Sequence, residues 1–175
     1  IRVWDLASGR QVDSFGGLIE RVAMLAVNPD GSLIATKAPD GSRVTVWDTA
    51  SGRRVVTLGA SRTPVASPVF SPDGTTLATG DPDGFTLWDV ASWQMRAVLP
   101  ALRGRMAFSP DGSLLAAGAS RGAIALWDAR SLQRIATLAA HADGDYRPPF
   151  RPAGSILACR RPAPARRPRP GVWLW

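Results

Sequence analysis

Chemistry that moves protons or holds metals has little to draw on in this sequence. His141, Cys159, Glu20 and Tyr146 are each the sole residue of their type among 175. That leaves no material for a nucleophile–base pair or for a nitrogen- and sulfur-rich metal cage. Cys159 ends the apolar run Ile156-Leu157-Ala158-Cys159 and reads as a small buried hydrophobe. Asp-Gly pairs recur, but their oxygen spacing does not fit an EF-hand, and turn formation accounts for them. No glycine-rich phosphate loop opens onto a helix. The expectation is a non-enzyme with no catalytic, cofactor-binding or metal-binding residues and no cofactor.

Arginine is the one chemically capable residue in surplus. The net charge is +7, yet residues 1–146 hold 14 Lys/Arg against 14 Asp/Glu, and residues 147–175 hold seven Arg and no acid. Arg160, Arg161, Arg166, Arg167 and Arg169 fall in a Pro-rich stretch, 160–171, whose composition predicts an extended, self-repelling loop. Guanidinium forks there suit the carboxylates of an acidic protein or the phosphates of a nucleic acid. No aromatic residue lies inside the stretch to stack on bases, so an acidic protein or peptide is the better expected ligand and nucleic acid the lesser.

The tryptophans could also stack on bases, but their spacing gives them another role. Trp4, Trp47, Trp88, Trp127 and Trp175 are separated by 43, 41, 39 and 48 residues, and the first four precede Asp5, Asp48, Asp89 and Asp128. A second marker runs in phase: Asn28-Pro29-Asp30-Gly31, Ser71-Pro72-Asp73-Gly74, Ser109-Pro110-Asp111-Gly112 and a worn copy, Arg151-Pro152-Ala153-Gly154. Two markers in phase define an internal repeat, which makes these tryptophans core positions. Trp93 is out of register, standing where Gly52 turns the chain in the preceding repeat, and is expected either exposed and adhesive or covering a sheet edge.

Each period reads as four short strands, in the first complete unit Val22–Val27, Leu33–Lys37, Arg43–Trp47 and Arg53–Leu58. The runs are rich in β-branched and apolar residues and bounded by Gly, Pro, Asp or Ser. Strands such as Val22–Val27 are apolar on both faces, as expected of a small sheet held between two neighbours. Four-stranded sheets repeating at this length predict an all-β propeller. No apolar run approaches the roughly 18 residues of a membrane span.

With these residues in view, the chain resembles the WD-repeat family in its bacterial-type form. Leu-Ala-Thr-Gly (77–80), Phe-Thr-Leu-Trp-Asp (85–89), Phe-Ser-Pro-Asp-Gly (70–74) and Thr-Leu-Ala-Ala-His (137–141) carry the likeness, which extends over essentially the whole chain. The resemblance implies antiparallel blades with the first strand innermost. Residues 22–58, 65–99 and 105–138 then form three complete blades. Residues 1–15 supply two outer strands of a partial blade and 145–175 three strands of another, together an incomplete ring cut from a longer protein. Pro148-Pro149 in the last inner strand should break one ladder bond.

Many family members tie each blade with His, Ser/Thr, Asp and Trp. Here His141 alone stands at the His position; Thr36 and Thr79 can supply the hydroxyl, while Ala117 cannot. Asp40 and Asp83 lie near the Asp position, which later passes to Arg121 and Arg169. The resemblance implies a scaffold or sensory module for protein binding, in a larger protein of the cytoplasm such as a signalling one. Loops before the first strands would meet a partner, which adds Arg21, Arg62 and Arg103 to the candidate binding residues. The alternative is a propeller enzyme of the hydrolase or lactonase type whose site lies outside these residues. Open blade edges are expected to drive self-association of the isolated chain.

Overall fold

The tetrapeptides at Asn28, Ser71 and Ser109 fold alike and set the spacing of the strands around them. In the computed structural model the fourth-residue amide donates to the first-residue carbonyl, from Gly31 at 3.0 Å, Gly74 at 2.9 Å and Gly112 at 2.8 Å. The three glycines sit at φ 75°, 73° and 73°, where a Cβ would be strained. The first side chain then accepts an amide five residues on: Leu33 N–H to Asn28 Oδ1 at 2.8 Å, Thr76 to Ser71 Oγ at 3.0 Å, Leu114 to Ser109 Oγ at 2.9 Å. The chain leaves each turn already paired, so a hairpin follows.

The structure describes residues 2–4, 6–14, 24–59, 67–81, 84–100, 105–118, 123–138, 150, 158–160 and 172–174. Three four-stranded antiparallel sheets result. Blade I comprises β3 (Met24–Val27), β4 (Leu33–Lys37), β5 (Val44–Asp48) and β6 (Arg54–Leu58). Blade II comprises β7 (Val69–Phe70), β8 (Thr76–Asp81), β9 (Gly84–Asp89) and β10 (Met95–Pro100). Blade III comprises β11 (Met106–Phe108), β12 (Leu114–Gly118), β13 (Ile124–Asp128) and β14 (Arg134–Leu138). Two strand pairs flank them, β1 (Arg2–Trp4) with β2 (Gln11–Ser14) and β15 (Ala158–Arg160) with β16 (Val172–Leu174). No helix occurs among the described residues. Strands are ordered as in the sequence within every blade, and β7 lies beside both β3 and β11. The first strands therefore form the inner row.

Blade I matches its expected strands within a residue or two, with Val22 and Ala23 outside the described residues. Pro148 and Pro149 also lie outside them.

Equivalent registers place each repeat Trp opposite an aliphatic residue of the second strand: Trp47 with Ile34, Trp88 with Leu77, Trp127 with Leu115. A bulge recurs beside the Trp where the third strand meets the fourth. It twists the outer strand and makes it a poorer template for foreign strands.

Each blade has a front face, carrying its Trp, and a back. The back of blade I (Ala35, Val44, Val46, Leu58) packs on the front of blade II (Phe70, Leu77, Trp88). The back of blade II (Ala78, Phe85, Leu87, Leu99) packs on the front of blade III (Met106, Leu115, Ala117, Ala125, Trp127). Burying each large side chain contributes about 1.5–3 kcal/mol, so these two seams hold the fold.

The tryptophans, expected as core positions, are not equally buried. Trp127 is 2% exposed, whereas Trp47 and Trp88 are half-buried. Phe85, Leu87 and Leu99 cover Trp127 more fully than Val44, Val46 and Leu58 cover Trp88. The half-buried indoles are anchored by hydrogen bonds: Trp47 Nε1–H donates to Thr36 Oγ1 and Trp88 Nε1–H to Thr79 Oγ1, each at 2.8 Å. In blade III, Ala117 and Ala125 replace the facing threonines, and Trp127 has no such acceptor among the described residues.

Thr79→Val keeps the volume of the buried Thr79 and removes the acceptor for Trp88. Chemical denaturation should show a loss of about 1–3 kcal/mol. A change within error would mean that the indole bond contributes nothing.

Candidate functional site

Asp48, Asp89 and Asp128 are held by a clamp built into the turn between the third and fourth strands. Asp48 accepts the Ser51 amide at 2.7 Å and its hydroxyl at 2.6 Å. Asp89 accepts both from Ser92 at 2.8 Å. Asp128 accepts the Ser131 amide at 2.7 Å and its hydroxyl at 2.9 Å. Donors converging on a carboxylate favour its charged form. The Ser51 and Ser92 hydroxyls chiefly lower the acids of Asp48 and Asp89, and the Ser131 amide chiefly lowers that of Asp128. These carboxylates are turn staples, already occupied by their own loops. Asp40 does the same between β4 and β5, accepting the Ser42 amide at 2.9 Å.

The residue four after each of these three aspartates must take a left-handed conformation. Gly52 does so at φ 66°, but Trp93 at 57° and Leu132 at 60° pay a steric cost of about 1–2 kcal/mol. Both carry their side chains into a seam, Trp93 onto the blade I–II core and Leu132 onto the blade II–III core. Trp93 is thus half-buried in the seam between blades I and II.

Two grooves run between blades at this end of the strands. One, of about 480 Å³, lies among Asp73, Arg96, Asp111, Asp128 and Arg130; the other, of about 390 Å³, among Asp30, Asp73 and Asp89. Their carboxylates are engaged locally, Asp73 by the Ser71 hydroxyl and the Thr75 amide, Asp111 by Ser109 and Ser113. No group of three or more His, Cys, Asp or Glu stands ready for a metal ion among the described residues.

The opposite end of the strands holds Lys37 and Arg105 together with the stapled Asp40. Lys37 closes β4 opposite Met24 at the start of the inner strand β3, and Arg105 leads directly into β11, its carbonyl accepting the Gly118 amide at 3.1 Å. Partial burial pushes the Lys37 ammonium below its ordinary range, and the field of Arg105 adds to the shift. Residues from blades I and III thus share one neighbourhood on either side of β7. Lys37 is alone in its stretch of sequence, and only the topology brings it towards Arg105.

The candidate binding residues Arg21, Arg62, Arg103, Arg161, Arg166, Arg167 and Arg169 lie outside the described residues, as do His141, Asp5 and Trp175. Arg160, expected to open the loop, instead ends β15 opposite Val172. Trp4 is 52% exposed in β1.

A family model described as WD domain, G-beta repeat matches residues 52–89 and 104–128. The first match runs from the turn before the fourth strand of blade I through the third strand of blade II, so the sequence repeat straddles two blades. No curated protein matches the chain.

The clamps tie stability to pH. The aspartate acids are lowered by folding, so their contribution is complete above the unfolded value of about 4 and disappears as pH falls through the folded values. Melting temperature should therefore drop below about pH 4. A Ser51→Ala/Ser92→Ala/Ser131→Ala variant should melt lower than the parent at pH 7 and converge on it towards pH 2. Parallel curves would contradict the clamp account. At position 93, Trp93→Gly should be about 1 kcal/mol more stable than Trp93→Ala in a denaturant titration, because only Gly is relaxed at this φ. Equal stabilities would mean that the backbone there carries no strain.

Proposed function

Because the chain belongs to the WD-repeat family, whose repeats typically serve as non-catalytic scaffolds for protein–protein interaction, we propose that it binds an acidic protein or peptide where its first strands begin. The observation that carries the reading is the convergence of Lys37 and Arg105 from two blades at that end. The inner row of β3, β7 and β11 gives such a surface a rigid floor, and the loops holding Arg21, Arg62 and Arg103 would extend it. The Arg-rich stretch 160–171 would supply a second, more adaptable contact. Asp40, at this same end, is engaged by Ser42, as the aspartates at the other end are by their own loops. In this reading the chain acts as the sensory or scaffolding part of a larger signalling protein in the cytoplasm.

Fluorescence anisotropy with a labelled Glu-rich peptide tests the proposal. Lys37→Gln/Arg105→Gln should weaken binding about tenfold or more and flatten its salt dependence. Replacing Arg160, Arg161, Arg166, Arg167 and Arg169 with Ser should weaken it further while leaving the melting temperature unchanged. Binding unaffected by either set, or a clear preference for a single-stranded oligonucleotide over the peptide, would overturn the reading.

A further inference from the structure

Of the 21 Lys and Arg residues in the sequence, only Lys37 is a lysine. Its place in the repeat is as unusual as its type. Lys37 pairs with Val44 as Gly80 pairs with Phe85 and Gly118 with Ile124, so blades II and III hold glycine at that position. Directly opposed residues share a face of the sheet, and alternate residues of a strand do too. Lys37 therefore stands on the back of blade I with Ala35 and Val44, which are 0% and 2% exposed. Its own side chain is half-buried at the end of that apolar surface.

Few charges face it. Residues 67–70, which lead into and form β7, carry none. Asp40 uses Oδ1 for the Ser42 amide and hydroxyl, at 2.9 and 2.8 Å, and answers the field of Arg43. The charge that reaches Lys37 is that of Arg105, from blade III. Burial first, and then this like charge, disfavours the ammonium. The neutral amine so favoured is the nucleophilic form of lysine.

We propose that Lys37 is an acyl-acceptor site whose donor is an acyl phosphate, with Arg105 as the group that receives the phosphate. The guanidinium fork stays charged and matches phosphate oxygens. The Nζ lone pair attacks the acyl carbon, and the bond from that carbon to the phosphate oxygen breaks. Inorganic phosphate leaves with the electron pair, and the amine proton passes to it or to water. The product is a neutral amide on Nζ. Where Lys37 and Arg105 receive an acidic partner, as proposed above, this step removes one of the two cations and weakens that contact.

Acetyl phosphate is the probe, and peptide mass spectrometry reads Lys37 separately from the α-amine. At pH 7 Lys37 should acetylate about threefold or more faster in the folded chain than in the chain unfolded by guanidinium chloride. Arg105→Gln should slow the reaction and move its rise with pH to higher pH, with the melting temperature as a check on its fold. Inorganic phosphate should compete with acetyl phosphate in the unaltered chain and lose that effect in Arg105→Gln. Equal rates in the folded and unfolded chains, a pH profile indifferent to Arg105→Gln, or no competition by phosphate would each overturn the proposal. These rates involve no peptide. If the acetylated chain binds the Glu-rich peptide as before, the acceptor site stands and the binding reading falls.

Discussion

A four-stranded sheet that is apolar on both faces cannot bury itself, and this constraint governs the molecule. Blade II shows it most fully. Its Leu77 and Phe70 are covered by Val44, Val46 and Leu58 of blade I, while its Phe85, Leu87 and Leu99 cover Met106 and Trp127 of blade III. Each blade is therefore both the lid of one neighbour and the floor of the next. The staggered sequence repeat strengthens the arrangement, because one repeat contributes the outer strand of one blade and the inner strands of the following one. Even costly local choices serve the seam. Trp93 and Leu132 accept a left-handed backbone, and burial of an apolar side chain, at about 1.5–3 kcal/mol, is large enough to offset it.

The same constraint keeps the charged turn residues apart from the apolar seams. The aspartates after the tryptophans and in the tight turns are consumed by the amides and hydroxyls of their own loops, and the groove carboxylates Asp73 and Asp111 with them. At the other end of the strands the row of inner strands gathers Lys37 and Arg105, which come from separate blades. A function of recognition is compatible with such a division. Neighbouring loops can change charge without disturbing the seams beneath them.

The blades were legible because their signals are local. Pro fixes φ and Gly supplies the left-handed residue, so Asn28–Gly31 and its two copies declare a hairpin wherever they occur. Thr36 and Thr79 were identifiable as hydroxyl partners because the repeat fixes their register against Trp47 and Trp88, and both bonds form. The unequal burial of Trp88 and Trp127 was not legible, since it depends on side-chain size in the facing blade: Phe85 against Val44, Leu87 against Val46. The approach of Lys37 and Arg105 was hidden for a related reason. They are far apart in sequence and come together only when three first strands line up. Trp93 could be flagged as a residue in place of Gly52, but which way its indole turned required the neighbouring blade.

The central claim is that the seams make the blades one cooperative unit, and amide hydrogen exchange resolved residue by residue in increasing urea tests it most directly. The account predicts that amides of β8 and β9 in blade II and β12 and β13 in blade III share the highest protection and one common denaturant slope, opening together. If the two blades instead exchange with separate free energies and separate slopes, each sheet is stable alone and the seam is not what holds the structure.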